Sequence, residues 1–250
     1  LAPPNRLPAR LSAIGAVSLI GWFDTPDGPT LAELTMQGLS SIEGGYDRLS
    51  AKFDHSVFRT PDPVLDTLQG QFFECERALD IGCGTGAVLQ RLQPFARETV
   101  GVDISRNMLA RARLNVGPEP TLLRVDFLKA YWEEHFDLIT SVGVLGHIAP
   151  SQQNQFFRRL WLALRPGGVF LTAVGDLRQR PWVYLPALAF DTLMRVRNLL
   201  WRPTFVMYYL SFVLPQAARV LERQGFRCDI IEGQFPPPFT QLKILKATKK

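Results

Sequence analysis

Three aspartates and a run of glycines offer the first chemistry in this chain. Asp80, Asp103 and Asp126 stand at or next to the ends of three successive strand-like apolar runs. In an open α/β sheet, ligands sit beyond the carboxyl ends of the strands, where the strand order reverses. A single aspartate there is as readily a turn or helix cap. Three on one rim point to a polar ligand with several donors. Asp80 leads directly into Gly82, Cys83, Gly84, Thr85 and Gly86, spaced G-x-G-x-G. Glycine lets backbone approach a ligand and tolerates positive φ. The helix start that follows offers free N–H groups to an anion. Ala87 falls where the dinucleotide fingerprint accepts a third small residue, so the glycine spacing is not exclusive. The carboxylate before the loop shifts the odds, because it would repel a pyrophosphate and suits an ammonium group.

A proton acceptor is needed only where the reacting nucleophile carries a proton at the wrong pKa. His147 follows the fourth apolar run, near where substrate should lie, and is the first catalytic candidate. His55 is the second. His135 precedes the fourth run, on the opposite rim, and reads as surface.

The elements that must position these groups alternate. Strands are expected over residues 77–81, 99–103, 121–127, 136–142 and 169–173. Helices are expected over 87–96, from an N-cap at Ser105, and from a cap at Ser151 to a stop at Pro166-Gly167-Gly168. Alternation of this kind implies a parallel sheet with right-handed crossovers. A helix over 216–224, closed by Gly225, then precedes strands over 226–231 and 242–247. The link between those two strands is too short for a crossover helix, so the pair should be antiparallel. The fold class is therefore α/β: a Rossmann-like seven-stranded sheet, mostly parallel with an antiparallel last strand, helices on both faces, and a helical cap.

The residues at this point resemble the class I S-adenosylmethionine (SAM) dependent methyltransferase family. Residues 78–86 (ALDIGCGTG), 100–105 (VGVDIS), 125–127 (VDF), 136–147 (FDLITSVGVLGH) and 164–168 (LRPGG) occur in that family's order and spacing. The resemblance implies that Asp80 and the loop containing Gly82, Cys83, Gly84 and Gly86 hold the amino acid end of SAM. It implies that Asp103 accepts from both ribose hydroxyls and Asp126 from the adenine amino group. Ile104 and Phe127 would flank the ring, with Met108 on the same side. Ser141 and Val142 would line the methionine and substrate side. Upstream, residues 46–54 (YDRLSAKFD) resemble the family's Y-D-x-x-A-x-x-Y-D helix, which closes over the cofactor; Phe53 replaces the second tyrosine, and Tyr46 is a candidate contact. Residues 1–75 are then an N-terminal helical extension and cofactor-closing segment. Residues 76–250 would be the methyltransferase domain, with SAM as the implied cofactor and S-adenosylhomocysteine (SAH) as product.

Residues 177–215 form an insertion in the usual place for substrate specificity in that family. The segment holds eight aromatics and five arginines, Arg178, Arg180, Arg195, Arg197 and Arg202, against one acid, Asp191. Tyr184, Arg195, Arg197, Tyr208 and Tyr209 are its substrate-binding candidates, suited to an apolar acceptor bearing an acidic group. An ordinary helical cap and a membrane-surface element are alternative readings of the same segment.

Bulk properties narrow the partners. Net charge is +5, yet only six of the 28 basic residues are lysine and no Lys/Arg run is longer than a pair such as the terminal Lys249-Lys250. The fourth strand ends in Thr-Ser-Val-Gly, without the Asn/Asp-Pro-Pro-Tyr/Phe signature of amino-group DNA methyltransferases, so no nucleic acid is expected. Cys75, Cys83 and Cys228 have neither metal-ligand spacing nor an even disulfide count, which suits a reduced, cytoplasmic protein without a metal. An uncharged run over residues 11–23 mimics a signal peptide but falls short of the ~18 residues a span requires. A small-molecule methyltransferase, acting on O, N or C of an apolar, aromatic or lipid-like acceptor, is the leading reading. An NAD-type oxidoreductase and a noncatalytic SAM-binding protein are the alternatives.

Overall fold

The computed structural model describes residues 27–176 and 181–250. Helix α1 (Leu31–Leu39) opens with a closed capping box between Thr30 and Glu33. In α2 (Ile42–Leu49) the Ser41 side chain accepts from Gly44 N. After α3 (Asp62–Gln69) come β1 (Cys75–Ile81), α4 (Ala87–Leu92) and β2 (Ala96–Asp103). Helix α4 stops short of the expected 87–96, because Pro94 has no N–H to continue the ladder, and the chain enters β2 at Ala96. Ser105 caps α5 (Arg106–Val116), accepting from Met108 N at 3.1 Å.

Strand β3 (Thr121–Arg124) ends earlier than expected. Asp126 folds back, and its carboxylate accepts from Leu128 N at 3.0 Å, replacing the ladder with an Asx turn. Strand β4 (Phe136–Thr140) is also short, and Gly143 turns the chain at φ 76°. Ser151 does not cap a helix. It lies inside a 3₁₀ turn, Pro150–Gln152, that precedes α6 (Gln153–Ala163). Leu164 starts β5 (Leu164–Gly175) instead of ending the helix, and the Pro-Gly-Gly run falls where the β4–β5 register shifts. Then follow α7 (Pro181–Leu200), α8 (Gln216–Arg223), β6 (Phe226–Ile231) and β7 (Leu242–Lys249).

The seven strands lie in the order β3-β2-β1-β4-β5-β7-β6. Every pairing among β1 to β5 is parallel, and β7 runs antiparallel to both β5 and β6. Alternate strand residues face opposite sides. Ala78 and Leu138 pack with Leu65, Leu89 and Leu109 from α3, α4 and α5. Leu79 and Ile139 pack with Phe157, Leu160 and Leu221 from α6 and α8. Order reverses between β1 and β4, so the sheet opens a crevice beyond their carboxyl ends.

The uncharged run over 11–23, Arg178, Arg180 and the Trp182 side chain lie outside what the structure describes. Among the described residues no helix is long and apolar enough to cross a membrane.

Candidate active site

A cavity of about 320 Å³ occupies that crevice. Asp80, at the end of β1, is buried at its floor and accepts from Thr140 Oγ1 at 2.8 Å. Burial pushes its carboxyl up to about 8 against the Thr140 hydrogen bond, with a smaller contribution from nearby Asp103. Asp103, at the end of β2, is held by two backbone donors, Gly84 N to Oδ2 at 2.9 Å and Ser105 N to Oδ1 at 2.8 Å. Burial raises its pKa as well. Each of its oxygens retains a lone pair for a further donor. Gly84 adopts φ 52°, and a Cβ there would meet nothing nearer than Phe53 at 4.0 Å, so the loop backbone faces open space. Asp126 and the Phe127 ring line the far end with Ile104 and Met108. Phe127 is fixed by stacking on Trp132, with centroids 6.1 Å apart.

The wall opposite the loop comes from α2 and the turn after it, and two carboxylates pin it. Asp47 Oδ1 accepts from Ser105 Oγ at 2.5 Å and from Asn107 N at 3.0 Å, at the start of α5. Asp54 Oδ1 accepts from Thr85 Oγ1 at 2.5 Å, inside the glycine loop. With both anchors in place, Tyr46 and Phe53 turn into the cavity, their rings 6.0 Å apart.

Tyr46 meets His147 there. The Tyr46 hydroxyl is 2.7 Å from His147 Nε2, and His147 Nδ1 is 2.6 Å from the Val206 carbonyl. A carbonyl only accepts, so Nδ1 carries the proton. Nε2 is then the acceptor for the Tyr46 O–H. Burial lowers the His147 pKa, which keeps the ring neutral, and burial raises that of Tyr46, which keeps the phenol protonated.

Twelve of the expected residues line this one cavity: Tyr46, Asp80, Gly82, Cys83, Gly84, Asp103, Ile104, Met108, Asp126, Phe127, Val142 and His147. Others do not. Gly86 is the N-cap of α4, in the left-handed region at φ 91°, where a Cβ would meet Val116 at 2.6 Å; its role is packing. Ser141 is fully buried, its hydroxyl donating to Ile81 O at 3.2 Å. His55 is exposed and outside the lining.

None of the five acceptor-side candidates reaches the cavity. Tyr184 and Tyr209 are exposed, and Tyr209 N donates to Asp191 at 2.7 Å. Arg195 stacks over the Tyr208 ring at 4.5 Å. Arg197 donates to Pro203 O at 2.7 Å, and the Tyr208 hydroxyl accepts from Asn198 at 3.2 Å. Phe58, Arg59, Thr60, Gln152 and Phe156 line it instead. They sit in loops and on a helix without a motif of their own, so only the fold collects them.

Residues 78–168 match a family model described as a methyltransferase domain. A ubiquinone biosynthesis O-methyltransferase of Nitrobacter winogradskyi is 29% identical over 169 residues, 65% of this chain and 61% of that protein. A cyclopropane-fatty-acyl-phospholipid synthase of Escherichia coli K12 is 33% identical over 115 residues, 43% of this chain and 29% of that one. The chain thus spans under two thirds of the length of either relative. In fold it is similar to the DhpI–SAH complex, with TM-score 0.62 at 17% identity, covering 87% of this chain and 98% of that one. With its five motifs on a sheet of this order, the chain carries a methyltransferase domain of the class I SAM-dependent family.

Proposed function

We propose that the chain transfers a methyl group from SAM to O or N of an apolar, aromatic or lipid-like small molecule. The observation that carries this reading is the set of three carboxylates on one apolar-walled cavity, one of them buried with no cation beside it among the described residues. The residues present fit SAM. Asp80 suits its ammonium group, Asp103 its two ribose hydroxyls and Asp126 its adenine amino group. Ile104, Met108 and Phe127 offer apolar surface to the ring, while Gly84 lets the backbone approach the amino acid end; a Cβ at Gly82 would collide with the Val144 side chain. When bound, SAM supplies a methyl group already activated on a sulfonium.

The chain's own task is then to position the acceptor and take its proton. Tyr46 and His147 suit that task. As an acceptor O–H or N–H gives its proton to the Tyr46 oxygen, the Tyr46 proton passes to His147 Nε2, leaving an imidazolium whose Nδ1–H is held by Val206 O. Phe53, Phe58, Ile148 and Phe156, all in the lining, favour an apolar acceptor. The relative named as a ubiquinone biosynthesis O-methyltransferase supports an O acceptor, and the one named as a cyclopropane-fatty-acyl-phospholipid synthase supports only the lipid-like character of the acceptor.

The test is transfer of label from methyl-labelled SAM to a panel of prenylated phenols, fatty acids and lipid amines. Labelled product from an apolar O or N acceptor supports the reading. SAH binding with no transfer to any of them, and none to a cell lipid extract, sinks it in favour of a noncatalytic SAM-binding protein.

A further inference from the structure

Helix α7 wears its apolar residues on the outside. Its inner side carries Phe190, Met194 and Asn198, which hold the 205–209 segment. Asn198 Oδ1 accepts from Phe205 N at 2.9 Å, and Met194 packs on Phe205 and Tyr208. Its one acid, Asp191, is buried on the same side, accepting from Tyr209 N and Leu210 N.

The outer side carries Leu185, Leu193, Leu199 and Leu200, exposed by 68%, 63%, 83% and 77%, with Leu188 and Val196 between them. At helical spacing these six fall on one half of the cylinder. No charged residue shares that half, and the Thr192 hydroxyl within it donates back to Leu188 O at 2.7 Å. Arg195 and Arg197 border it on either margin, and exposed Trp201 and Arg202 follow its end. Single exposed leucines are ordinary on a protein surface; a contiguous stripe marks an interaction face.

We propose that this outer half of α7 docks in the plane of an anionic lipid surface. The charge pattern selects the partner. The border is wholly basic, the only acid of the helix is turned inward, and the whole chain carries +5. Exposed Arg195 and Arg202 are placed to meet headgroup phosphates while leucines enter the acyl boundary, and tryptophan favours the interface. At about 1.5 Å per residue the helix is about 30 Å long, so it presents a long, shallow footprint. Its inner side holds the segment containing Val206, whose carbonyl fixes His147. Docking therefore brings the membrane next to one wall of the cavity.

Flotation of the full chain with vesicles tests this. The vesicles are phosphatidylcholine alone, or phosphatidylcholine with about one-third phosphatidylglycerol. Binding is expected to the anionic vesicles, weakened by salt, and reduced about tenfold or more in Leu193→Glu/Leu199→Glu, since affinity scales with buried apolar area. Both side chains are exposed, so the variant should keep its circular dichroism and SAH binding. Three outcomes overturn the proposal: no binding of the unaltered chain to anionic vesicles, equal binding of the variant, which puts the contact elsewhere in the chain, or a dimer that the double substitution dissociates.

Discussion

The Tyr46 hydroxyl donates to His147 Nε2 across 2.7 Å, and the Nδ1 behind it donates to the Val206 carbonyl across 2.6 Å. The two bonds run in one direction, from the cavity into the protein. A proton entering at the Tyr46 oxygen has a neutral acceptor waiting.

For that reason Tyr46→Phe and His147→Ala should each lower kcat by about a hundredfold or more, in the range of lost acid–base assistance. SAH affinity should stay within about threefold, well under 1.4 kcal/mol. Burial lowers the His147 pKa, so kcat should hold down through its ordinary value of about 6.5 and fall only in more acidic solution, where the ring charges. Steady-state kinetics against pH, beside calorimetry, read both. If Tyr46→Phe loses SAH binding and keeps kcat, Tyr46 is a cofactor contact and not a proton carrier.

The Asp80 carboxyl, pushed up to about 8, makes cofactor binding depend on pH. An ammonium group favours the ionised form, so binding in solutions more acidic than that value must expel a proton. SAH affinity should climb as pH approaches 8 and level off above it. The measured enthalpy should change with the ionisation enthalpy of the buffer, and Asp80→Asn should remove both effects. The unliganded fold moves in the opposite sense. Its raised carboxyl pKa contributes stability that is fully present below the ordinary value of 3.8 and is lost as pH rises through about 8. Thermal melts without ligand should therefore fall across that window, less so in Asp80→Asn. An affinity flat with pH would detach Asp80 from the ammonium group.

Asp47 and Asp54 hold α2 and its following turn to the sheet domain. Asp47→Ala removes the partner of Ser105 Oγ and Asn107 N, bonds to a charged group worth about 1.5–3 kcal/mol in all. Amides of α2 should exchange with deuterium faster in this variant, while those of β1 and β4 keep their protection. Unchanged exchange in α2 would mean that packing through Leu49 and Ile42 alone holds the helix.

What was legible in the sequence follows a physical line. Asp80 and Asp103 are readable because each stands at or next to the end of a strand, and strand ends on one rim share an environment. Loop glycines were readable as a group, but nothing in the spacing separates Gly84, which faces the cavity, from Gly86, which faces Val116. Ser141 looked like a strand-end contact; β4 ends one residue earlier, and the hydroxyl turns back to Ile81. Asp47 and Asp54 stood in the quoted motif, yet their partners lie 58 and 31 residues away in Ser105 and Thr85, beyond any local pattern. In residues 177–215 composition announced aromatics and arginines without saying which way they face. Helix α7 reverses the usual rule, so periodicity alone would have turned its leucines inward.

Calorimetric titration of SAH into the chain and into Asp103→Ala tests the cofactor assignment most directly. Asp103 is already oriented by Gly84 N and Ser105 N, so the unaltered chain should bind SAH with both ribose hydroxyls paired. The variant leaves those hydroxyls without an acceptor in a partly desolvated cavity. Its affinity should fall by about 1.5–3 kcal/mol, roughly 10- to 150-fold, with the fold intact. Heat with NAD and none with SAH, or the same SAH affinity in the folded variant, would contradict it.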